Sequence, residues 1–287
     1  MEKIAIITDS CGDVTPENRE KHDIFVLPMV VQDGEKEYKD GITITAGEVY
    51  ELQKTSVLKT ASPIGEDVME TFRQVKEKGY THAIVVTLAS GLSGTFNAIR
   101  LLAQEQQELI VEVLDSKNGS IGYGAIATIL ARYRDAGQSF VQLVDKGKKL
   151  IDNSFPFFSI DTLEHLERGG RIGKATAFVG TLLKIKPILS FEKEQGEIFV
   201  PAKVRGNKAV PGMLLQLVDK KLKEHPGEKY YIMVAHGGAP EEFGKLKKQL
   251  QEKYPQARDL LEAQIGAALS TYLGSGLLGA GVVFAEE

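Results

Sequence analysis

The chain has 287 residues, 43% hydrophobic and 26% charged, enough for a folded protein with two domains and sizeable cores. Its net charge of -4 argues against a protein that tracks nucleic-acid phosphates, which would carry a basic face. A single cysteine, Cys11, excludes an internal disulfide and a cysteine-built zinc site.

Met1-Glu-Lys-Ile-Ala-Ile-Ile-Thr8 turns polar too soon for a signal peptide. No run approaches the roughly 20 apolar residues that span a bilayer. A reducing, cytoplasmic setting is therefore expected. Lys3–Ile7 reads as a strand, and Thr15-Pro16 as an N-cap with proline at the first helical position. Ile24–Val31 is a second apolar run, and Thr45 caps a short helix through Lys54. Ser62-Pro63 opens a helix that runs to Lys78 and stops at Gly79. Strands at His82–Leu88 and Leu109–Leu114, each followed by a helical pattern, complete a series that implies a parallel sheet covered on both faces.

The pattern changes near Asn153. Phe155–Ile160, Ile185–Phe191, Glu197–Val204, Lys229–Ala235 and Leu278–Phe284 are strand candidates, with Gln195-Gly196 as a hairpin turn. Helices at about 208–224, 240–253 and 264–273 are expected to cover one face of this sheet. The predicted fold class is α/β with two domains. Residues 1–153 form a three-layer α/β/α unit on a parallel sheet, and residues 154–287 an α+β unit on a mixed or antiparallel sheet.

The most informative segment is Leu88-Ala-Ser-Gly-Leu-Ser-Gly-Thr-Phe-Asn97, a strand emptying through a Gly/Ser/Thr turn into a helix. Glycines let the backbone approach a ligand. The hydroxyls of Ser90, Ser93 and Thr95, with the first N–H groups of the helix, are expected to point at one anionic group. Asp9 and Ser10, at the end of the first strand, either line a pocket mouth or satisfy turn amides. Ser62 reads first as an N-cap; Thr60 is either a ligand contact or an exposed loop residue. Arg168-Gly-Gly-Arg171 either presents Arg171 to an oxyanion or ends a helix with solvated arginines. Lys203-Val-Arg205-Gly-Asn-Lys208 is a second basic turn open to the same two readings, and Gly274-Ser-Gly276 with Gly279 marks a tight backbone passage. The G-x-S-x-G elbow, Walker A and H-E-x-x-H are absent, and among candidate bases only Asp9 and His236 are plausibly placed.

Taken together and in order, several short segments resemble the DegV family of bacterial fatty-acid-binding proteins. They are Thr8-Asp-Ser10, Thr60-x-x-Pro63, Ser90-x-x-Ser93-Gly-Thr95, Asp115-Ser116 with Gly122-x-Gly124, Leu166-x-x-Gly169-Gly-Arg-Ile172, Lys186-Pro187, Arg205-Gly206 and His236-Gly237. The resemblance covers nearly the whole chain. It implies a long-chain fatty acid lying between two α/β domains, with no cofactor and no metal. It also implies a carboxylate held by loop hydroxyls at Thr60 and Ser93, and Arg171 near that headgroup or a docking surface. Family members of the FakB type pass the acyl chain to a separate fatty acid kinase, which phosphorylates the carboxylate. The expected ligand set is Thr60, Ser62, Ser93, Gly94, Thr95, Arg171 and Tyr272. Expected partners are a long-chain fatty acid and a fatty acid kinase, without nucleic acid, and transient membrane contact is allowed for.

Two departures from the family pattern stand out. The usual Thr-Ser-Gln-Pro is Thr60-Ala61-Ser62-Pro63 here, and the usual C-terminal histidine is replaced by Tyr272. A tyrosine hydroxyl donates one hydrogen bond but cannot carry positive charge. Ala177-Phe-Val-Gly-Thr-Leu-Leu183 with Ile185 and Ile188 reads as one wall of an acyl tunnel or as ordinary core. The expected function is a non-enzymatic fatty acid carrier. The alternatives are an enzyme on a small phosphorylated or carboxylated metabolite and a lipid-binding regulatory sensor.

Overall fold

The computed structural model describes residues 2–179 and 185–286. The first sheet has strand order β2-β1-β6-β7 and is wholly parallel, built from β1 (Ile4–Asp9), β2 (Ile24–Leu27), β6 (His82–Thr87) and β7 (Ile110–Asp115). Every residue of β1 is buried, because alternate side chains serve two cores. Ala5 and Ile7 face outward onto α3 (Gly65–Glu77) and α4 (Thr95–Gln104), meeting Val68, Phe72 and Ile99. Ile4 and Ile6 face inward onto α5 (Ile121–Asp135).

The second sheet has order β10-β9-β8-β13-β11-β12. Its strands are β8 (Ser154–Ser159), β9 (Ile185–Phe191), β10 (Ile198–Arg205), β11 (Tyr230–Gly237), β12 (Leu260–Gln264) and β13 (Leu277–Phe284). All neighbours are antiparallel except β11 and β12. Its outer face packs on α8 (Val210–Glu224) and α9 (Pro240–Lys253) through Leu214, Val218, Leu246 and Leu250. Its inner face meets α5, which touches β1 and β6 on one side and β8, β11, β12 and β13 on the other. Twelve of the fifteen α5 residues are buried, so this helix is apolar all round rather than amphipathic. The parallel and mixed sheets agree with the fold class expected from the sequence.

A small antiparallel sheet of order β4-β3-β5 joins β3 (Val30–Asp33), β4 (Lys36–Lys39) and β5 (Lys59–Ala61). The remaining helices are α1 (Pro16–Lys21), α2 (Ala46–Leu52), α6 (Phe140–Asp152), α7 (Glu164–Arg168) and α10 (Ala267–Leu273). Thr15 caps α1, and Thr45 with Glu48 forms a capping box on α2.

Four expectations need correction. The run Ile24–Val31 is two strands in different sheets; Pro28 between them has no N–H for a ladder, and the Met29 N–H turns instead to Ser10 Oγ at 3.0 Å. Helix α3 begins at Gly65 rather than Ser62-Pro63, and its N-cap position is Ile64, so Ser62 caps nothing. Helix α10 does not cover the second sheet with α8 and α9 but packs on α2, α7, β3 and β5. Strands β4, β5 and β12 have no counterpart in the sequence reading. Residues 180–183 of the suggested tunnel wall lie outside the described residues, and Ile188 packs in the outer core with α8.

Asp9 is fully buried and fastens the end of β1. It accepts from the Cys11 N–H at 3.0 Å, the Leu88 N–H at 2.8 Å and the Tyr123 hydroxyl. Of its two readings, the acceptor of turn amides is the one the structure supports. Burial, only partly offset by these donors, raises its carboxyl from 3.8 to about 6. Between those values the folded chain binds more protons than the unfolded one. The Asp9 contribution to stability is therefore full below pH 3.8 and lost as pH rises through 6.

Wild type is expected to lose about 1 kcal/mol of stability through Asp9 between pH 5 and pH 7. Asp9→Asn lacks this component, which urea midpoints at the two pH values measure; an unchanged slope refutes the assignment. The packing of α5 is tested at Gly124, where an added Cβ would come within 1.9 Å of the Gly12 carbonyl oxygen. Gly124→Ala is expected to cost about 2 kcal/mol or more. Gly212→Ala on α8, where nothing lies within 4 Å, is expected to be neutral or stabilising by up to about 1 kcal/mol.

Candidate functional site

Where α5 begins, the two sheets are no longer held together by its side chains, and a cavity of about 220 Å³ opens between them. Its walls are mainly apolar. Cys11, Met29 and Leu88 come from the first sheet and its loops, Pro156, Phe158 and Phe191 from the second, and Leu269 and Leu273 from α10. Phe158 and Phe191 stack at 5.5 Å between centroids. Gly279 contributes bare backbone. Gln195-Gly196 lies in the turn of the β9–β10 hairpin, as expected. Gly91 N–H donates to the Gln195 carbonyl at 2.9 Å, and a Cβ at Gly196 would stand 2.8 Å from Lys117 backbone.

Polar side chains gather on one part of the wall. Thr60 Oγ1 and Tyr272 Oη are hydrogen-bonded at 3.0 Å, and Ser93 Oγ and Thr95 Oγ1 at 2.8 Å. Thr95 Oγ1 also stands 3.1 Å from Ser62 Oγ. Thr60, Ser62, Ser93, Gly94, Arg171 and Tyr272 all line the cavity. Thr95 does not: it is fully buried behind the wall and ties the hydroxyls of Ser62 and Ser93 together. Ser90 turns away, its N–H and hydroxyl both donating to Asp115 at the end of β7. The three hydroxyls of this loop therefore do not converge as the sequence suggested.

Arg171 is not a free fork. Its Nε donates to the Leu92 carbonyl at 3.2 Å and its Nη1 to the Gly169 carbonyl. The guanidinium carbon lies 5.3 Å from the centre of the Tyr272 ring, a cation–π contact worth about 0.5–1 kcal/mol at an exposed site. Gly169 explains the approach, since a Cβ there would come within 2.3 Å of the same ring. The Gly-Gly turn thus exists to let Tyr272 and Arg171 lie against it. Arg205 and Lys208 of the other basic turn do not line the cavity.

The residues that hold α10, and with it Tyr272, are two carboxylates that sequence reasoning missed. Asp13 accepts from the Gly266 N–H at 2.9 Å and the Ser120 hydroxyl at 2.6 Å. Asp40 accepts from the Ala267 N–H at 2.8 Å and the Ser10 hydroxyl at 2.7 Å. Both thereby satisfy main-chain N–H groups at the start of α10 that have no partner within the helix. Burial pushes both carboxyls above the ordinary range. Their partners on α10 are 253 and 227 residues away, so no local pattern marked them. Neither candidate base lines the cavity: Asp9 is committed to three donors, and the His236 ring lies tilted against Phe243 at 4.6 Å between centroids.

Comparison with known proteins places this geometry in a family. A DegV-domain protein of Clostridium acetobutylicum (CA_C1624) is 37% identical over 279 residues, covering 97% of this chain and 98% of that protein. Among solved structures, DegV of Bacillus subtilis, described as a fatty-acid-binding protein, has a TM-score of 0.87 at 29% identity and covers 99% of this chain and 100% of that one. A stearic-acid-binding protein of Eubacterium ventriosum has a TM-score of 0.88 at 27% identity, covering 98% of each chain. The model of the family described as uncharacterised protein, DegV family, matches residues 3–285. The chain therefore belongs to the DegV family.

Proposed function

We propose that this protein binds a long-chain fatty acid in the cavity and presents its carboxylate to a separate fatty acid kinase. The observation that carries this reading is an apolar cavity with a cluster of hydroxyls on one part of its wall. On this reading the chain divides near Asn153, and the ligand lies between the parallel-sheet and mixed-sheet units. The descriptions of the Bacillus subtilis and Eubacterium ventriosum relatives as fatty-acid and stearic-acid binders support it. The reading makes the protein a carrier rather than an enzyme, and the single cysteine suits a cytoplasmic setting.

The energetics divide the labour. About 15 buried carbons at roughly 0.8 kcal/mol each give a gross term of about 12 kcal/mol before association costs. Hydrogen bonds to a charged group add only about 1.5–3 kcal/mol each. Chain burial therefore sets affinity, while Thr60, Ser93 and Tyr272 set which end stays at the polar wall. Presentation to a kinase is supported by the position of that wall: Thr60, Arg171 and Tyr272 also border an open surface cleft. Arg171 supports the ring of Tyr272 there. Among the described residues no helix is long and apolar enough to cross a membrane.

Native mass spectrometry of the purified protein is expected to reveal an excess of one fatty acid that mild organic extraction removes. An apo mass that also refuses added fatty acid refutes the reading. Ser93→Ala is expected to narrow the preference for fatty acid over the matching fatty alcohol about tenfold, with alcohol affinity changed less than threefold. Undiminished discrimination in competition binding removes Ser93 from the headgroup role.

A further inference from the structure

Thr60, Arg171 and Tyr272 are part of two walls. Their far side borders a second cleft of about 240 Å³, between the β5 end of the small sheet and the end of α7. Among the described residues its lining includes Lys59, Arg168 and Arg171 but no carboxylate, in a chain whose net charge is -4. Neither Lys59 nor Arg168 forms an ion pair or side-chain hydrogen bond among the described residues. His165 also lines the cleft, and burial together with the Arg168 charge holds its imidazole below the ordinary pKa. Both effects favour its neutral form, which offers hydrogen bonds rather than charge.

Thr60, Arg171 and Tyr272 line both this cleft and the apolar cavity, and the hydroxyls of Thr60 and Tyr272 are bonded to each other at 3.0 Å. A neutral hydrogen bond contributes about 0.5–1.5 kcal/mol net, and a carbonyl oxygen accepting from both hydroxyls would replace it at little loss. The cleft is as large as the acyl cavity, more room than a bare phosphate fills. Gln32, Gln53 and Ser56 add neutral polar groups suited to a hydroxyl. Gln53 Nε2 already donates to the Ser270 and Thr271 carbonyls, which leaves its oxygen as an acceptor.

We propose that the cleft is a second ligand compartment and that the two together take a single-chain glycerophospholipid. The acyl chain lies in the apolar cavity, the ester carbonyl between Thr60 and Tyr272, and the glycerol phosphate among Lys59, Arg168 and Arg171. Charge-assisted hydrogen bonds from lysine and arginine are the strong contacts for such a phosphate. This proposal rests on the acyl-chain reading of the first cavity.

The test is displacement of a fluorescent polyene fatty acid from the full chain by four probes below their micelle concentrations. The probes are palmitic acid, monopalmitoylglycerol, 1-palmitoylglycerol 3-phosphate and a palmitoyl phosphonate with phosphorus directly on the carbonyl. The glycerol phosphate lipid is expected to bind about tenfold or more tighter than monopalmitoylglycerol. A Lys59→Ala, Arg168→Ala double variant is expected to bring the two within about threefold while palmitic acid stays within about twofold of wild type. Equal binding of the two glycerolipids, or an advantage untouched by the double variant, overturns the proposal while palmitic acid still binds. Tight binding of the phosphonate without the glycerol phosphate lipid overturns the glycerol assignment. Failure of palmitic acid itself sinks the reading of the first cavity, and this proposal with it.

Discussion

Two sheets share one helix in this molecule, and the rest of the structure follows from how closely they can approach it. Helix α5 has no solvent face to spare; Gly122 and Gly124 sit where a Cβ would strike Pro156 of the second sheet and the Gly12 backbone of the first. Close packing at near-crystalline density leaves no slack along the helix, so a void forms where its first turn begins. The cavity lies at that point, with Ser120 and Ile121 of the α5 start in its wall. A ligand space here does not need to be carved from a core; it is what remains when the separation set by α5 continues past its end.

The same region concentrates the molecule's buried carboxylates. Asp9, Asp13 and Asp40 are each held by at least two donors, and each has its carboxyl raised by burial. Buried charge is costly unless hydrogen-bonded, so these side chains are retained for what they position. Asp9 locks the β1 turn to Leu88, whereas Asp13 and Asp40 anchor α10 across more than two hundred residues. The placement of Tyr272 over Gly169, beside Arg171, depends on that anchoring.

Tyr272 gives the polar wall its character. The wall hydroxyls of Thr60, Ser62, Ser93 and Tyr272 are already bonded, Thr60 to Tyr272 and both serines to Thr95, so a headgroup enters by exchanging partners rather than by meeting fixed charge. Among the described residues the one cation in the wall, Arg171, has two donors engaged by main-chain carbonyls. On the proposed reading, positive charge acts from the cleft outside the wall, and the chain compartment is selected by apolar burial alone.

Local chemistry was legible where it was locally caused. The Thr15 and Thr45 caps, the strand periods, the Gln195-Gly196 hairpin and the change from parallel to mixed sheet near Asn153 could be read from residues within a few positions of one another. The ordered short motifs pointed to the family, and Thr60, Ser93 and Tyr272 to the polar wall. The sequence by itself thus determined most of the elements, the parallel and mixed sheet types and the residues that carry hydroxyls. Tertiary structure alone decided which hydroxyls face the cavity, why Thr95 and Ser90 do not, and where α10 docks. Those outcomes rest on Asp13 and Asp40 meeting amides hundreds of residues away and on glycines that matter only once another element is packed against them. Propensity and periodicity act over a few residues, whereas a cavity is a relation between surfaces that the chain brings together only by folding.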